Sequence, residues 1–326
     1  MQFSGILGFA GLSLVLMSAP AWAEEAQPEQ LIDGLNGVFG VHAKMRASHA
    51  KGICVKGSFT PTPEAAALSK APMFAAPVPL VGRFSLGGGN PAASDGQKDN
   101  VRGFAMHFQL PDGAVSDLML ITAPMFVART PEKFLELLKT VAPGPDGKKN
   151  PEKIAAFFKA NPDSAKQGAW LKARPTPASY ATGDYFGVHA FILVNAKGDR
   201  QPVKWRAEPV DGFVGLTDAE AEGKGKDFYA GELNDRFAKG PLSFNLFAIV
   251  GQPGDQEDDP TSEWPADRKS VKMGTISVTG LEPAESCDVG IFDPNNLADG
   301  VEPSKNDKIL PMRSQDYAVS FGRRTN

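Results

Sequence analysis

From Gly52 onward, apolar and polar residues alternate in short runs separated by turn signals, the period-2 pattern of half-buried strands. Four runs come in close succession: GICVKGSF (52–59), PLVGRFSLGG (79–88), RGFAMHFQL (102–110) and VSDLMLIT (115–122), with Pro111-Asp112-Gly113 as the turn before the last. Four more follow, GVHAFILVN (187–195), PVKWRAEPV (202–210), LSFNLFAIV (242–250) and VKMGTISVTG (271–280). Between the two groups the period lengthens to that of helices. Thr130-Pro131-Glu132 supplies an N-cap, a first-turn proline and an early acid, and Phe134, Leu135, Leu138 and Val141 then follow at helical spacing. Asn150-Pro151-Glu152 repeats the device ahead of Ile154, Phe157 and Phe158. A further helix is expected over about 227–239, stopping at Gly240. Four strands, helices and four strands predict an α+β fold with a closed antiparallel barrel, since closure leaves no exposed sheet edge.

The start of the chain reads differently. An apolar run from Ile6 to Met17, followed by Ala21-Trp22-Ala23, is too short to span a bilayer and ends in the small-x-small pattern of a secretory signal. Its first residues, MQFSG, lack the usual Lys or Arg. The expected division is a signal peptide at 1–23 and a single domain at 24–326, periplasmic or otherwise exported. That leaves about 300 residues, ample for a sizeable core. A net charge of -4 argues against nucleic acid as partner. The acidic run DQEDDP (255–260) lacks the ligand spacing and glycine of a calcium loop and reads as a solvated loop. Of the two cysteines, Cys54 and Cys287, a pair of buried thiols is expected rather than a bridge. The four histidines (42, 49, 107, 189) show no HxxxH or HxxH pairing, and there is no CxxC, so zinc is not expected.

Candidate chemistry sits at the two ends of the domain. RASHAKGICVKGSF (46–59) sets Arg46 one helical turn before His49, at the lip of the first strand. In the next strand, alternation puts Arg83 and Ser85 on one face and Phe84 and Leu86 on the other. The polar pair is assigned to the inward face of the barrel, where burial demands an anionic or hydrogen-bonding partner. Near the C-terminus, RSQDY sets Arg313 one turn before Tyr317, and in a helix Arg324 would extend the same stripe. A guanidinium beside a phenol favours the phenolate, an arrangement suited to metal ligation. The alternative for this segment is an amphipathic end helix with a solvated basic edge.

These segments resemble the haem catalases. RASHAKGICVKGSF is similar to the stretch around their distal histidine, and VGRFS and RGFAMHF to their next two strands. APMFVARTPEKF, GVHAFILVN, FDPNNLADGVEPSKNDKIL and RSQDY continue the likeness in the same order, from about residue 35 to the end. The pattern is most similar to the short exported catalase-related peroxidases, which keep the barrel core without the long C-terminal portion of true catalases. The resemblance implies a catalase-like closed eight-stranded antiparallel barrel with surrounding helices, binding haem b. It implies His49 as distal acid and base with Ser85 hydrogen-bonded to it, and Tyr317 as the axial ligand of the iron, as catalases generally use tyrosine, with Arg313 keeping it anionic. Arg46, Arg83 and Arg324 match positions that hold haem propionates. Phe134 matches the aromatic at the distal haem face, and Phe126 lines the same cavity.

The implied reaction has His49 take a proton from the inner oxygen of a peroxide and return it to the outer one as the O–O bond breaks. One position departs from the catalase pattern: in DLMLITAP (117–124), Ile121 stands where catalases have a distal asparagine. The lost amide implies a peroxidase acting on organic hydroperoxides or hydrogen peroxide with little catalase activity and an antioxidant role. The alternatives are a compact true catalase, a non-catalytic barrel carrying haem or lipid, and an isomerase of fatty-acid hydroperoxides. A small-molecule electron donor is implied as partner, with no nucleic acid and no stable membrane insertion. No dinucleotide fingerprint is present and the portion that binds NADPH in some catalases has no counterpart, so no NADPH is expected. The reduced arms imply a monomer or dimer.

Overall fold

The strands are β1 (Gly52–Pro61), β2 (Val78–Leu86), β3 (Arg102–Gln109), β4 (Val115–Ile121), β5 (Tyr185–Phe186), β6 (Phe191–Val194), β7 (Arg200–Pro209), β8 (Leu242–Val250) and β9 (Ser270–Leu281), all but β5 within or close to the alternating runs. The computed structural model describes residues 25–288 and 290–326, so the apolar leader and its cleavage pattern lie outside the described residues. Hydrogen-bonded neighbours run β8-β9-β1-β2-β3-β4-β5-β7, and β7 pairs again with β8, closing an eight-stranded antiparallel ring. The expected closed barrel is therefore present. Of the run read as a strand over 187–195 only β6 is strand: β5, which no predicted run covers, precedes it and pairs with β7 in the barrel, residues 187–190 leave the ladder, and β6 pairs with β7 farther along. A short β10 (Val301–Pro303) extends the sheet from β6.

Alternation decides what fills the barrel. Phe84, Phe104, Tyr185 and Phe244 are fully buried and meet across it, with ring centroids of Phe84 and Phe104 4.3 Å apart and of Phe104 and Phe244 5.4 Å apart. An eight-stranded barrel is just wide enough for such side chains, which leaves no room for a large planar ligand inside. The inward face of β2 is thus the Phe84 and Leu86 face. Arg83 and Ser85 point outward, and the inward assignment is corrected. Their cover comes from outside the barrel, from the segment before β1 and from the C-terminal helix.

Helices enclose that outer face. Thr130 Oγ1 accepts from Lys133 N at the start of a helix over Pro131–Val141, and Asn150 Oδ1 accepts from Lys153 N before another over Pro151–Ala160, as both proline signals predict. The helix expected near 227–239 spans Phe228–Phe237. An N-terminal helix (α1, Pro28–Phe39), absent from the predicted elements, packs on the Pro131–Val141 helix (α2) through Leu31, Leu135 and Leu138, with Phe134 and Met312 against them. Met312 belongs to the C-terminal helix (Ile309–Thr325), whose first turn is capped by Asp307: Oδ1 accepts from the amides of Ile309 and Leu310. None of the described helices is long and apolar enough to cross a membrane.

Two further expectations change. Cys54 and Cys287 form a disulfide, their Cα atoms 5.8 Å apart despite a sequence separation of 233, because barrel closure brings the segment after β9 onto β1. DQEDDP is only partly a solvated loop: Asp255 accepts two bonds from Arg268, at 2.8 and 2.9 Å, and buried Asp259 accepts from Thr261.

Candidate active site

The register across β1 to β4 lays Gly52, Ser85, Gly103 and Ile121 in one row on the outer face. Ser85 therefore has a glycine on each side, and both glycines make room for a functional group. A Cβ on Gly103 would lie 2.7 Å from Ser85 Oγ and 3.0 Å from the His49 ring. One on Gly52 would lie 2.4 Å from Cζ of Arg83. The freed space holds a pair, with His49 Nδ1 2.9 Å from Ser85 Oγ. His49 itself sits in the left-handed region, φ 55°, a conformation that a non-glycine residue keeps only where its surroundings enforce it. Here Arg83 enforces it, donating from Nη1 to His49 O (2.8 Å) and from Nη2 to Ala50 O (3.1 Å). No helical turn links Arg46 to His49; the segment is a run of bends.

The electrostatics of the pair are one-sided. Although His49 retains some accessible surface, its ring is desolvated, and burial followed by the charges of Arg83, Arg313 and Arg46 brings its pKa down from 6.5 to about 3. The imidazole is neutral at physiological pH and able to accept a proton. Arg313, on the C-terminal helix, is one of those charges, and Ala47 N donates to Ser320 Oγ (3.2 Å), joining the segment of His49 to that helix directly.

On the helix, the i, i+4 spacing works as expected. Arg313 donates to the Tyr317 phenol oxygen from Nε (3.0 Å) and from Nη2 (2.5 Å). Ser314 Oγ donates to Asp293 Oδ1 and Asn295 Nδ2 donates to Ser314 Oγ, so the FDPNN segment fixes the turn that carries Arg313. Arg46 Nη2 donates to Cys287 O and Arg324 Nη2 to Gly290 O, both at 2.9 Å, so two arginines from opposite ends of the chain converge on one segment. Phe126 and Phe134 pack together with centroids 5.2 Å apart, Phe134 also closing the cluster between α1 and α2. No contact between either ring and His49 is found among the described residues. At the end of the glycine row, Ile121 packs with Val101 and Trp170 beside Ala123 and Met125 and presents no donor.

Sequence reasoning missed one pair. His189, in the break between β5 and β6, is buried with Nδ1 2.6 Å from Asp307 Oδ2, while Asp307 caps the helix of Arg313. Burial lowers the His189 pKa in spite of Asp307, and the nearby Arg313 lowers it further. Its Nε2 is buried without a hydrogen-bond partner among the described residues. The available signal was a histidine interrupting an apolar strand run, together with an aspartate just before a helix.

These groups fit a haem better than a bare ion. Among the described residues no three His, Cys, Asp or Glu side chains converge as they would on a metal alone. What the chain brings together is one phenol oxygen doubly bonded to arginine, a neutral histidine under the charges of Arg83, Arg313 and Arg46, and Arg324 on the segment that Arg46 also reaches. One protein oxygen, with basic side chains around it, suits an iron that arrives already held by an anionic porphyrin.

A catalase family model matches residues 41–325 of this chain. The chain is 40% identical over 302 residues to a catalase-related peroxidase of Synechococcus elongatus, covering 91% of this chain and 88% of that protein. It is 38% identical over 302 residues to a catalase-related peroxidase of Mycolicibacterium paratuberculosis, covering 91% and 95%. Among solved structures, catalase A of Saccharomyces cerevisiae superposes with a TM-score of 0.78 at 22% identity, over 87% of this chain and 62% of that one. A bacterial catalase gives 0.76 at 24% identity, over 96% and 64%. The chain thus spans less than two thirds of the length of those solved catalases.

Proposed function

The chain belongs to the catalase family, and from that premise we propose that it is a haem-dependent peroxidase, reducing organic hydroperoxides or hydrogen peroxide at the expense of a small electron donor. The observation that carries the reading is His49, neutral, bonded to Ser85 and within reach of the charge of Arg313, which itself holds the Tyr317 phenol oxygen. Tyr317 would ligate the iron of haem b, and Arg46, Arg83 and Arg324 would hold its propionates. The bound haem supplies the redox centre for peroxide cleavage.

The chain's own contribution is proton transfer and order. With Nδ1 bonded to Ser85, Nε2 of His49 would be the proton-transfer atom: it would accept a proton from the inner oxygen of a hydroperoxide and deliver it to the outer one. Arg83 keeps the histidine in its left-handed turn, and Arg313 holds the phenol oxygen. The segment 1–23 is read as a secretory signal, so the protein would act outside the cytoplasm as a monomer or dimer, without NADPH.

The reading is tested by the absorption spectrum of the purified protein before and after one equivalent of organic hydroperoxide. A high-spin ferric haem band that loses intensity at once and recovers with a reducing dye is expected. A protein with no haem band, or with a band indifferent to peroxide, would move the reading to a carrier.

Two variants probe the distal row. Gly103→Ala should lower peroxide turnover about tenfold, since its Cβ would push Ser85 and His49 apart; an unchanged rate would show that the ring has room to shift. Ile121→Asn should raise oxygen release relative to donor oxidation at matched peroxide, by about tenfold, below the usual effect of one preorganised donor. If wild-type protein already releases oxygen as fast as it oxidises donor, a true catalase is the better description.

A further inference from the structure

The disulfide lies at the arginines, away from the barrel interior. Cys54 is the register partner of Arg83 on the outer face, and its neighbour on that face is Gly52, whose missing side chain accommodates the Arg83 guanidinium. Cys287, 2% exposed, packs with Cys54 and Phe292 and with Val81, Ala105 and Met119. The carbonyl of this same Cys287 accepts from Arg46, and three residues later that of Gly290 accepts from Arg324. The bridge thus joins the strand beside one of these arginines to the segment that orients the other two.

Among the described residues the segment is otherwise held by Phe292, stacked on His107 with centroids 3.9 Å apart, and by the two arginine bonds themselves. Its helix, Glu285–Asp288, is four residues long, well short of what is stable alone in water. The amides of Ser286 and Cys287 bond locally, to Pro283 O and Ala284 O. Glu282 N bonds to Cys54 O on one side, and Asp293 N to Asp117 Oδ2 on the other. Between those two anchors the disulfide is the covalent tie.

We propose that the Cys54–Cys287 disulfide is a positioning element for the arginines that receive the haem propionates, and that its reduction loosens the protein's hold on haem. The inference rests on the proposed haem function. The chemistry is thiol–disulfide exchange with a dithiol: two protein thiols form, and the dithiol is oxidised to its cyclic disulfide. Neither cysteine touches the reacting atoms, so the effect is on retention of the cofactor and not on peroxide cleavage.

The test is the rate at which haem transfers from the holoprotein to excess apomyoglobin. It is measured for the oxidised protein, after dithiothreitol with free thiols counted, and for Cys287→Ser with and without dithiothreitol to control for effects of the reductant on haem. Reduction and the substitution should each speed transfer about tenfold, as expected from weakening one charge-assisted contact, with far-UV circular dichroism unchanged. Hydrogen exchange of 283–292 in the apoprotein should rise in parallel. Equal transfer rates in both redox states would overturn the inference and leave the haem reading standing. Loss of the barrel on reduction would overturn it too, making the bridge a general staple. A protein that holds no haem in either state would overturn both.

Discussion

Replacing His49 with alanine is expected to lower kcat/KM for hydroperoxide reduction about 10³-fold, within the range of a lost general acid and base, while haem content and far-UV spectrum stay the same. The imidazole bonds Ser85 and belongs to neither the barrel core nor the α1–α2 cluster. The left-handed backbone at this position is held by Arg83 through main-chain carbonyls, bonds that survive removal of the ring. Ser85→Ala should cost less, because it misorients the base without removing it. A loaded His49→Ala protein turning over at the wild-type rate would sink the assignment.

The pH dependence carries the same signature. With the His49 pKa brought from 6.5 to about 3 by burial and three arginines, turnover should show no acid limb near 6.5 and stay level down to about pH 5. The sign for stability follows. Between pH 6.5 and about 3 the unfolded chain binds a proton at this histidine that the fold excludes, so the apoprotein loses stability as pH falls through that window. His49→Ala should flatten that part of the curve in an acid titration followed by circular dichroism.

Tyr317→Phe is expected to cut the haem content of the purified protein to below about a tenth, a loss equivalent to more than ~1.4 kcal/mol of binding. The substitution removes the phenol oxygen that would ligate the iron and leaves both Arg313 donors without their acceptor. The ring is only half-buried, so the apoprotein should keep its barrel. Absorbance in the haem band per chain, with the far-UV spectrum as control, reads the result. A carrier that held haem by its arginines alone would retain the cofactor and its spectrum, and that outcome would remove Tyr317 from the iron.

The local features were legible. The caps at Thr130 and Asn150, seven of the eight alternating runs and the Arg313–Tyr317 spacing are all set within a few residues of one another, and the structure repeats them. Alternation along β2 separated Arg83 and Ser85 from Phe84 and Leu86 correctly. It did not say which set faces in, because a strand with two covered faces has no solvent side to mark the outer one.

By itself the sequence determined most of the elements, the closed barrel they build and which side chains are candidates for the chemistry, since period, capping and turn chemistry act over one or two turns of chain. The tertiary structure alone decided where those side chains meet. Stacked aromatics fill the small barrel, so the site lies between its outer wall and the C-terminal helix. Closure in one register then sets His49 against Ser85 between two glycines, joins Cys54 to Cys287 and seats His189 on Asp307, contacts 36, 233 and 118 residues apart that no local pattern encodes.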